Sequence, residues 1–205
     1  MSAPVALGFR AGKGGSVVVG VALEKREPRL VISTYLATST DGDRLSLEPY
    51  HVAFEIAQTA GAHADAAAAI AEGRKRQDKL ATKNLNGIIR QLEENGYKPV
   101  VATLLVNRAG WITDLLQYSL GAPEHPPVAE GLAVRDALRL AFRKAELHVA
   151  EMDEKLLPET ASKALDLSRT SIDARLGALG AAAGRPWRKE QKLACLSAWL
   201  AIATR

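Results

Sequence analysis

A glycine-rich turn near the start of the chain carries two of the residues best suited to binding an anion. It reads Arg10-Ala11-Gly12-Lys13-Gly14-Gly15. Arginine and lysine attract phosphate oxygens directly, and glycines let backbone N–H groups approach such a group closely. The spacing is not that of a P-loop, because no Ser or Thr follows Lys13 and the next segment is a predicted strand. The turn predicts an anion site, unless its glycines serve only to make a flexible hairpin.

A second set of cations lies along one long helical segment. Arg76, Lys79, Lys83 and Arg90 fall on one side of this helix, opposite an apolar stripe. A continuous basic face can follow a phosphate backbone, although acidic residues share this face and many charged faces are merely solvated. The pattern therefore permits contact with a polyanion, and a solvated charged face is the alternative.

Acidic residues offer the alternative of a metal site. Glu190 begins the last predicted helix, where an acid more often offsets the helix dipole than binds a metal. Glu151, Asp153 and Glu154 lie at the end of a predicted strand, where an acidic cluster could hold one metal, although charged residues at strand ends are routine. A divalent cation needs several anionic oxygens together. The sequence leaves open a site made from Glu190 with Glu151 or Asp153.

Hydrophobic periodicity predicts the elements that must hold these residues. Three strands come first, and a short helix or a loop entering one follows at residues 50–58. A long helix, a central strand that is apolar on both faces, two helices, a fifth strand and closing helices complete the chain. The predicted bounds are 5–9, 17–23 and 29–37 for the first strands, 65–94 for the long helix, 100–106 for the central strand, 111–120 and 130–145 for the next helices, 147–152 for the fifth strand, and 162–183 and 187–203 for the closing helices.

The whole chain of 205 residues is predicted to form a single α/β domain over residues 1–205. Its net charge of +4 permits an acidic partner such as nucleic acid or an acidic protein. Cys195 is the only cysteine, which excludes an internal disulfide and favours a reducing compartment. No signal peptide or membrane span is recognisable, so we expect a cytoplasmic protein of the bacterial type that does not contact a membrane. A homo-oligomer is left open.

The order of these elements resembles that of the ribonuclease H-like superfamily. Three antiparallel strands, a long helix, a central strand, a helix, a fifth strand and closing helices follow one another in the same sequence. The segment Pro186-Trp187-Arg188-Lys189-Glu190-Gln191-Lys192, followed by the apolar residues 193–202, also looks like the last helix of Holliday-junction-resolvase-type members. The resemblance implies an α/β fold with a mixed five-stranded sheet flanked by helices.

The resemblance also implies where catalytic acids would stand. Nucleases of this superfamily hold two divalent cations with carboxylates on the first strand, near the end of the fourth strand and on the last helix, because adjacent cations need several negative charges. Arg10 stands where the first acid is expected, and Asn107-Arg108 stand where the second is expected. Glu190 alone matches, and one carboxylate cannot hold two magnesium ions. The resemblance therefore implies a pseudo-nuclease without a metal cofactor.

We accordingly predict a non-catalytic chain that binds nucleic acid or another acidic partner. The residues predicted to bind are Arg10, Lys13, Arg108, Lys189, Arg76, Lys79 and Lys83. One alternative is a divergent magnesium-dependent nuclease whose acids come from unexpected positions. Another is a homo-oligomeric scaffold that associates through an apolar helix face. The first two hypotheses share the premise that Arg10, Arg108 and Glu190 converge in space.

Overall fold

Five strands and eight helices form within residues 2–59, 62–107 and 111–205, which are the residues that the computed structural model of this chain describes. The strands are β1 (Ala3–Gly12), β2 (Gly15–Glu24), β3 (Glu27–Ala37), β4 (Tyr97–Val106) and β5 (Val149–Asp153). The helices are α1 (Arg44–Leu47), α2 (Pro49–Ala57), α3 (His63–Glu94), α4 (Leu115–Leu120), α5 (Pro126–Lys144), α6 (Leu157–Leu165), α7 (Arg169–Ala183) and α8 (Lys189–Ala203).

The strands form one mixed sheet in the order β3-β2-β1-β4-β5. The first three strands pair antiparallel, because only short turns join them. The pairs β1–β4 and β4–β5 are parallel, and the connection before β4 contains the 32-residue helix α3. Parallel strands end at the same edge of a sheet, so the carboxyl ends of β1, β4 and β5 lie together.

Helices cover both faces of the sheet. Side chains of a strand alternate between faces, and β1 divides its residues in this way. Val5, Leu7 and Phe9 pack against α3 and α5, whereas Ala6 packs with the opposite cluster, which α6, α7 and α8 complete. Phe9 meets Phe142 of α5 edge to face, with ring centroids 4.8 Å apart. This alternation decides that Gly8 and Arg10 lie on the α8 side.

The closing helical region differs from the sequence prediction. Residues 162–183 were predicted as one helix, but two helices meet there at Asp166, which adopts a left-handed conformation with φ of 51°. Aspartate tolerates this conformation better than most residues. The Ser168 side chain then accepts a hydrogen bond from the Ser171 N–H and begins α7. The single-helix prediction is therefore wrong, because one αL residue and a new N-cap outweigh the continuous apolar pattern.

Smaller differences occur at three other helix starts. Helix α5 begins at Pro126 within a segment predicted to be a loop, because proline is well suited to the first turn of a helix. Helix α4 begins only at Leu115, where the Asp114 side chain accepts from the Gln117 N–H. The one-turn helix α1 was not predicted, and Asp43 caps it in the same manner. Within the described residues no helix is long and apolar enough to cross a membrane.

Candidate nucleic-acid interface

The first turn of α8 reaches the sheet edge where β1 ends. Helix α8 crosses β1 at Gly8, where an added Cβ atom would stand only 1.9 Å from the Ala194 carbonyl oxygen. Residues two apart on a strand share a face, and residues four apart on a helix share a side. The contact of Gly8 with Ala194 therefore sets Arg10 against Glu190.

Arg10 lies between two carboxylates at this edge. Its Nε and Nη2 donate to Oε2 and Oε1 of Glu154 at 3.0 and 3.1 Å. Its Nη1 lies 3.7 Å from Glu190 Oε1. The Glu154 N–H donates to the Val106 carbonyl oxygen at 2.9 Å, which holds Glu154 beside the end of β4. The Arg10 side chain is 27% exposed, so water screens these charges only in part. The Arg10 guanidinium thus provides the positive charge that offsets these two carboxylates.

Asn107 follows β4 and is also engaged by an arginine. Its Oδ1 accepts a hydrogen bond from Arg135 Nη1 at 2.6 Å. Arg135 is 9% exposed, and no carboxylate of the described residues forms an ion pair with it. Burial lowers the pKa of its guanidinium, and Arg139 lowers it further. Sequence reasoning missed Arg135, although its place among the apolar residues of α5 was a usable signal.

The fold that carries this edge has counterparts among solved structures. A structure of Thermus thermophilus RuvC in complex with a Holliday junction substrate superposes with a TM-score of 0.55, at 10% sequence identity, over 96% of this chain and 91% of that chain. A second Thermus thermophilus RuvC structure gives a TM-score of 0.51 at 15% identity, over 96% of this chain and 92% of that one. The fold is ribonuclease H-like. The fold predicted from the element order is thereby confirmed.

The likeness to these resolvases is one of ribonuclease H-like fold. No protein-family model matches the chain, and no curated protein matches its sequence. Identities of 10% and 15% carry no information on individual site residues. What this chain does at the edge must therefore be argued from its own side chains.

The side chains at this edge do not fit the paired metal ions of ribonuclease H-like nucleases. Arg10 and Asn107 occupy the ends of β1 and β4, where carboxylates would be needed. Within the described part of the chain, no group of three or more His, Cys, Asp or Glu residues lies close enough together to hold a metal. A guanidinium between Glu154 and Glu190 would moreover repel a divalent cation.

The acids considered for a divergent nuclease are engaged elsewhere. Glu151 accepts hydrogen bonds from Arg139 Nε and Nη2 at 2.6 and 3.2 Å, on the α5 side of the sheet. Asp153 Oδ1 accepts the N–H groups of Lys155 and Leu156, which shapes the turn after β5. Neither carboxylate joins Glu190 in a common site within the described residues.

Besides Arg10, two more of the predicted binding residues are already held by carboxylates. Lys13 pairs with Glu48, which also accepts from Arg44, and these hydrogen bonds lower the pKa of the Glu48 carboxyl. Arg76 pairs with Glu72 at 2.8 Å and with Asp43 at 3.0 Å. Their positive charge is thus largely offset locally. Arg108, another predicted residue, lies outside the described residues.

Lys79 and Lys83 are differently placed. Both are exposed, and within the described residues no carboxylate lies within ion-pair distance of either. They border a groove of about 600 Å³ between α3 and α5, together with Lys75 and Lys144. Asp78 is the single acid of this groove. The structure adds Lys144 to the basic face, which sequence reasoning missed because α5 had not been placed beside α3.

Lys189 lies on the other side of the sheet, at the start of α8. It is exposed and has no ion-pair partner among the described residues. Three more exposed cations surround it, and they were not predicted as site residues: Arg169, Arg188 and Lys192. These residues form the rim of an apolar groove between α7 and α8.

Proposed function

We propose that this chain binds nucleic acid through exposed lysines and does not cleave it. The observation that carries the second half of this proposal is the Arg10 guanidinium lodged between Glu154 and Glu190. This guanidinium takes the place of the positive charge that metal ions would bring to the carboxylates of a nuclease site. A guanidinium in this place neither activates a water nor acts as a Lewis acid on a phosphodiester.

The lysine groove between α3 and α5 supports the first half of the proposal. Lys75, Lys79, Lys83 and Lys144 border this groove against Asp78 alone, so the local charge is strongly positive. A lysine with no carboxylate partner is free to replace a counterion on a phosphate. Helix α3 has 32 residues and is about 48 Å long, so it is long enough to follow a phosphate backbone.

The structural likeness to a resolvase also supports a nucleic acid as the partner. The chain shares its fold with a RuvC whose structure contains a Holliday junction substrate. Branched DNA therefore belongs among the first ligands to test, beside duplex DNA, single-stranded DNA and RNA. Arg10, Lys13 and Arg76 are expected to contribute less than Lys79 and Lys83, because carboxylates already neutralise them.

Fluorescence anisotropy with these four labelled ligands tests binding, and a gel of the same samples tests cleavage. We expect affinity to fall steeply with salt, to be the same in EDTA and in magnesium, and to leave the ligands intact. Lys79→Glu with Lys83→Glu is expected to weaken binding about tenfold and to flatten the salt dependence. Lys25→Glu with Lys98→Glu makes the same change of charge at two exposed residues outside this groove and serves as the control.

Each component of the proposal can fail separately. Equal loss of affinity in the control Lys25→Glu with Lys98→Glu would show that only net charge matters. Magnesium-dependent cleavage that disappears in Glu190→Ala would reinstate the nuclease. Absence of binding to all four ligands at low salt would refute the nucleic-acid proposal.

A further inference from the structure

The groove between α7 and α8 combines an apolar floor with a basic rim. Its cavity volume is about 470 Å³. Its floor consists of the half-buried or buried side chains Ile172, Leu176, Leu193 and Leu196. Its rim carries four exposed cations against one acid, Asp173. The groove between α7 and α8 therefore has an apolar floor and a positively charged rim.

Trp187 forms a fixed wall of this groove. Its Nε1 donates to the Leu176 carbonyl oxygen at 2.8 Å. Its ring packs on Gly180, where an added Cβ atom would stand 2.0 Å from the indole Cδ1. The indole is thus positioned before any ligand arrives, which lowers the entropy that binding must offset.

The same indole borders a second depression on its other side. Gly177, Gly180 and Ala181 line that depression, and it shares Arg188 and Lys192 with the first groove. The two depressions form one surface divided by Trp187. A bound peptide that crossed this surface would place apolar side chains on either side of the Trp187 indole. Arg188 and Lys192 would then face the backbone and the acidic side chains of that peptide.

We propose that this surface binds an acidic peptide segment that carries one or two large apolar side chains. The basic rim attracts Asp and Glu, and the apolar floor accepts Leu or Phe, for which the cavity has sufficient volume. The N-terminus of α8 adds a favourable field for a carboxylate. The basic rim is the charge complement of an acidic segment, and it holds few negative charges that would oppose one.

The floor favours a peptide over a nucleic acid. Bases bind to proteins largely by stacking on aromatic rings that present a free face. Here the floor is aliphatic, and the one aromatic ring is held in the wall against Gly180. The groove also lies on the α8 side of the sheet, whereas Lys79 and Lys83 lie on the α3 side. Failure of this inference would leave the nucleic-acid proposal untouched.

Three labelled probes test the inference by anisotropy on the full chain. The first is a short peptide of acidic pairs separated by single Leu or Phe residues. The second has the same acids with serine at each apolar position, and the third is single-stranded DNA of equal charge. We expect the first probe to bind about tenfold or more tightly than the second, since one buried side chain contributes that much.

Charge variants then locate the site. Arg188→Glu with Lys192→Glu is expected to weaken the first probe about tenfold or more, and Lys98→Glu to leave its affinity unchanged. All three residues are exposed, so the variants should fold, which thermal unfolding checks. Equal affinity for the serine peptide, insensitivity to the rim variants, or tighter binding of DNA with the same sensitivity would each overturn the proposal.

Discussion

Arg10 and Glu154 form a two-pronged ion pair that spans the end of β4. Their nitrogen and oxygen atoms meet at 3.0 and 3.1 Å, although Arg10 lies in β1 and Glu154 follows β5, which is not a neighbour of β1 in the sheet. Glu190 of α8 approaches the same guanidinium at 3.7 Å. One arginine thus connects β1, the end of β5 and the last helix.

Arg10→Gln is expected to lower the free energy of unfolding by about 1–3 kcal/mol, because two carboxylates lose their countercharge and Glu154 loses two donors. Chemical denaturation measures the change. Arg29→Gln breaks a well-exposed pair with Glu24 and should cost less than about 0.5 kcal/mol. Glu154→Gln in the Arg10→Gln background should restore part of the loss. Equal effects of Arg10→Gln and Arg29→Gln would contradict the assignment.

Arg10→Asp is expected to make the stability of the protein depend on divalent cations. The substitution removes the guanidinium and places a third carboxylate beside Glu154 and Glu190, which is a donor set that hard cations accept. Manganese or magnesium should raise the Tm of this variant by about 2–4 °C and leave the wild type unchanged. The same Tm with EDTA and with manganese in the variant would mean that Arg10 does not stand at a metal position.

Gly8→Ala is expected to destabilise the protein by about 3 kcal/mol or more, because its methyl group would enter the backbone of α8 at Ala194. The backbone there cannot give way without moving the start of α8. Gly12→Ala is the matched control on the same strand, since nothing lies within 4 Å of its added Cβ. Denaturant midpoints of the two variants compare the effects. Similar midpoints would refute the close crossing.

Glu130 is expected to make stability fall as the pH rises. Its carboxyl is 1% exposed, and burial raises its pKa to about 7, although the N–H groups of Tyr50 and His51 donate to Oε1. The folded state therefore holds a proton that the unfolded state releases above its own pKa of 4.5. The sign of this linkage is a loss of stability between about pH 4.5 and 7.

Glu130→Gln removes this titration and keeps an acceptor for the two N–H groups. The free energy of unfolding of the variant minus that of the wild type should therefore increase by about 1–3 kcal/mol from pH 4.5 to pH 8. Denaturation at several pH values measures this difference, in which other titrating groups cancel. A difference that does not vary with pH would show that Glu130 has an ordinary pKa.

Cys195 is expected to be inert toward thiol reagents in the folded protein. Its side chain is fully buried in α8, and burial raises the pKa of the thiol to about 12. At pH 8 both the access and the thiolate that such reagents need are lacking. Ellman's reagent should react only when denaturant unfolds the chain, at the denaturant concentration where the tryptophan fluorescence changes. Rapid reaction of the native protein would place Cys195 at the surface.

Local pattern accounts for the part of the fold that the sequence predicted. The apolar run before Asn107 predicted a central strand, and the stripe through Leu85 and Ile88 predicted the long helix, because both depend on periods of a few residues. The αL break at Asp166 escaped prediction because it depends on the dihedral angles of one residue. The fold and these elements followed from periodicity and element order.

Residue types alone placed an arginine near the end of β1, an asparagine after β4 and Glu190 in the first turn of α8. The tertiary structure decided what these residues do, because their partners are distant in the chain. Arg10 meets Glu154 across 144 positions, and Asn107 meets Arg135 across 28. Such pairs depend on strand order and on how closely α8 crosses Gly8, which are properties of packing that no local period encodes. The same packing decided which cations are neutralised and which, like Lys79 and Lys189, have no ion-pair partner among the described residues.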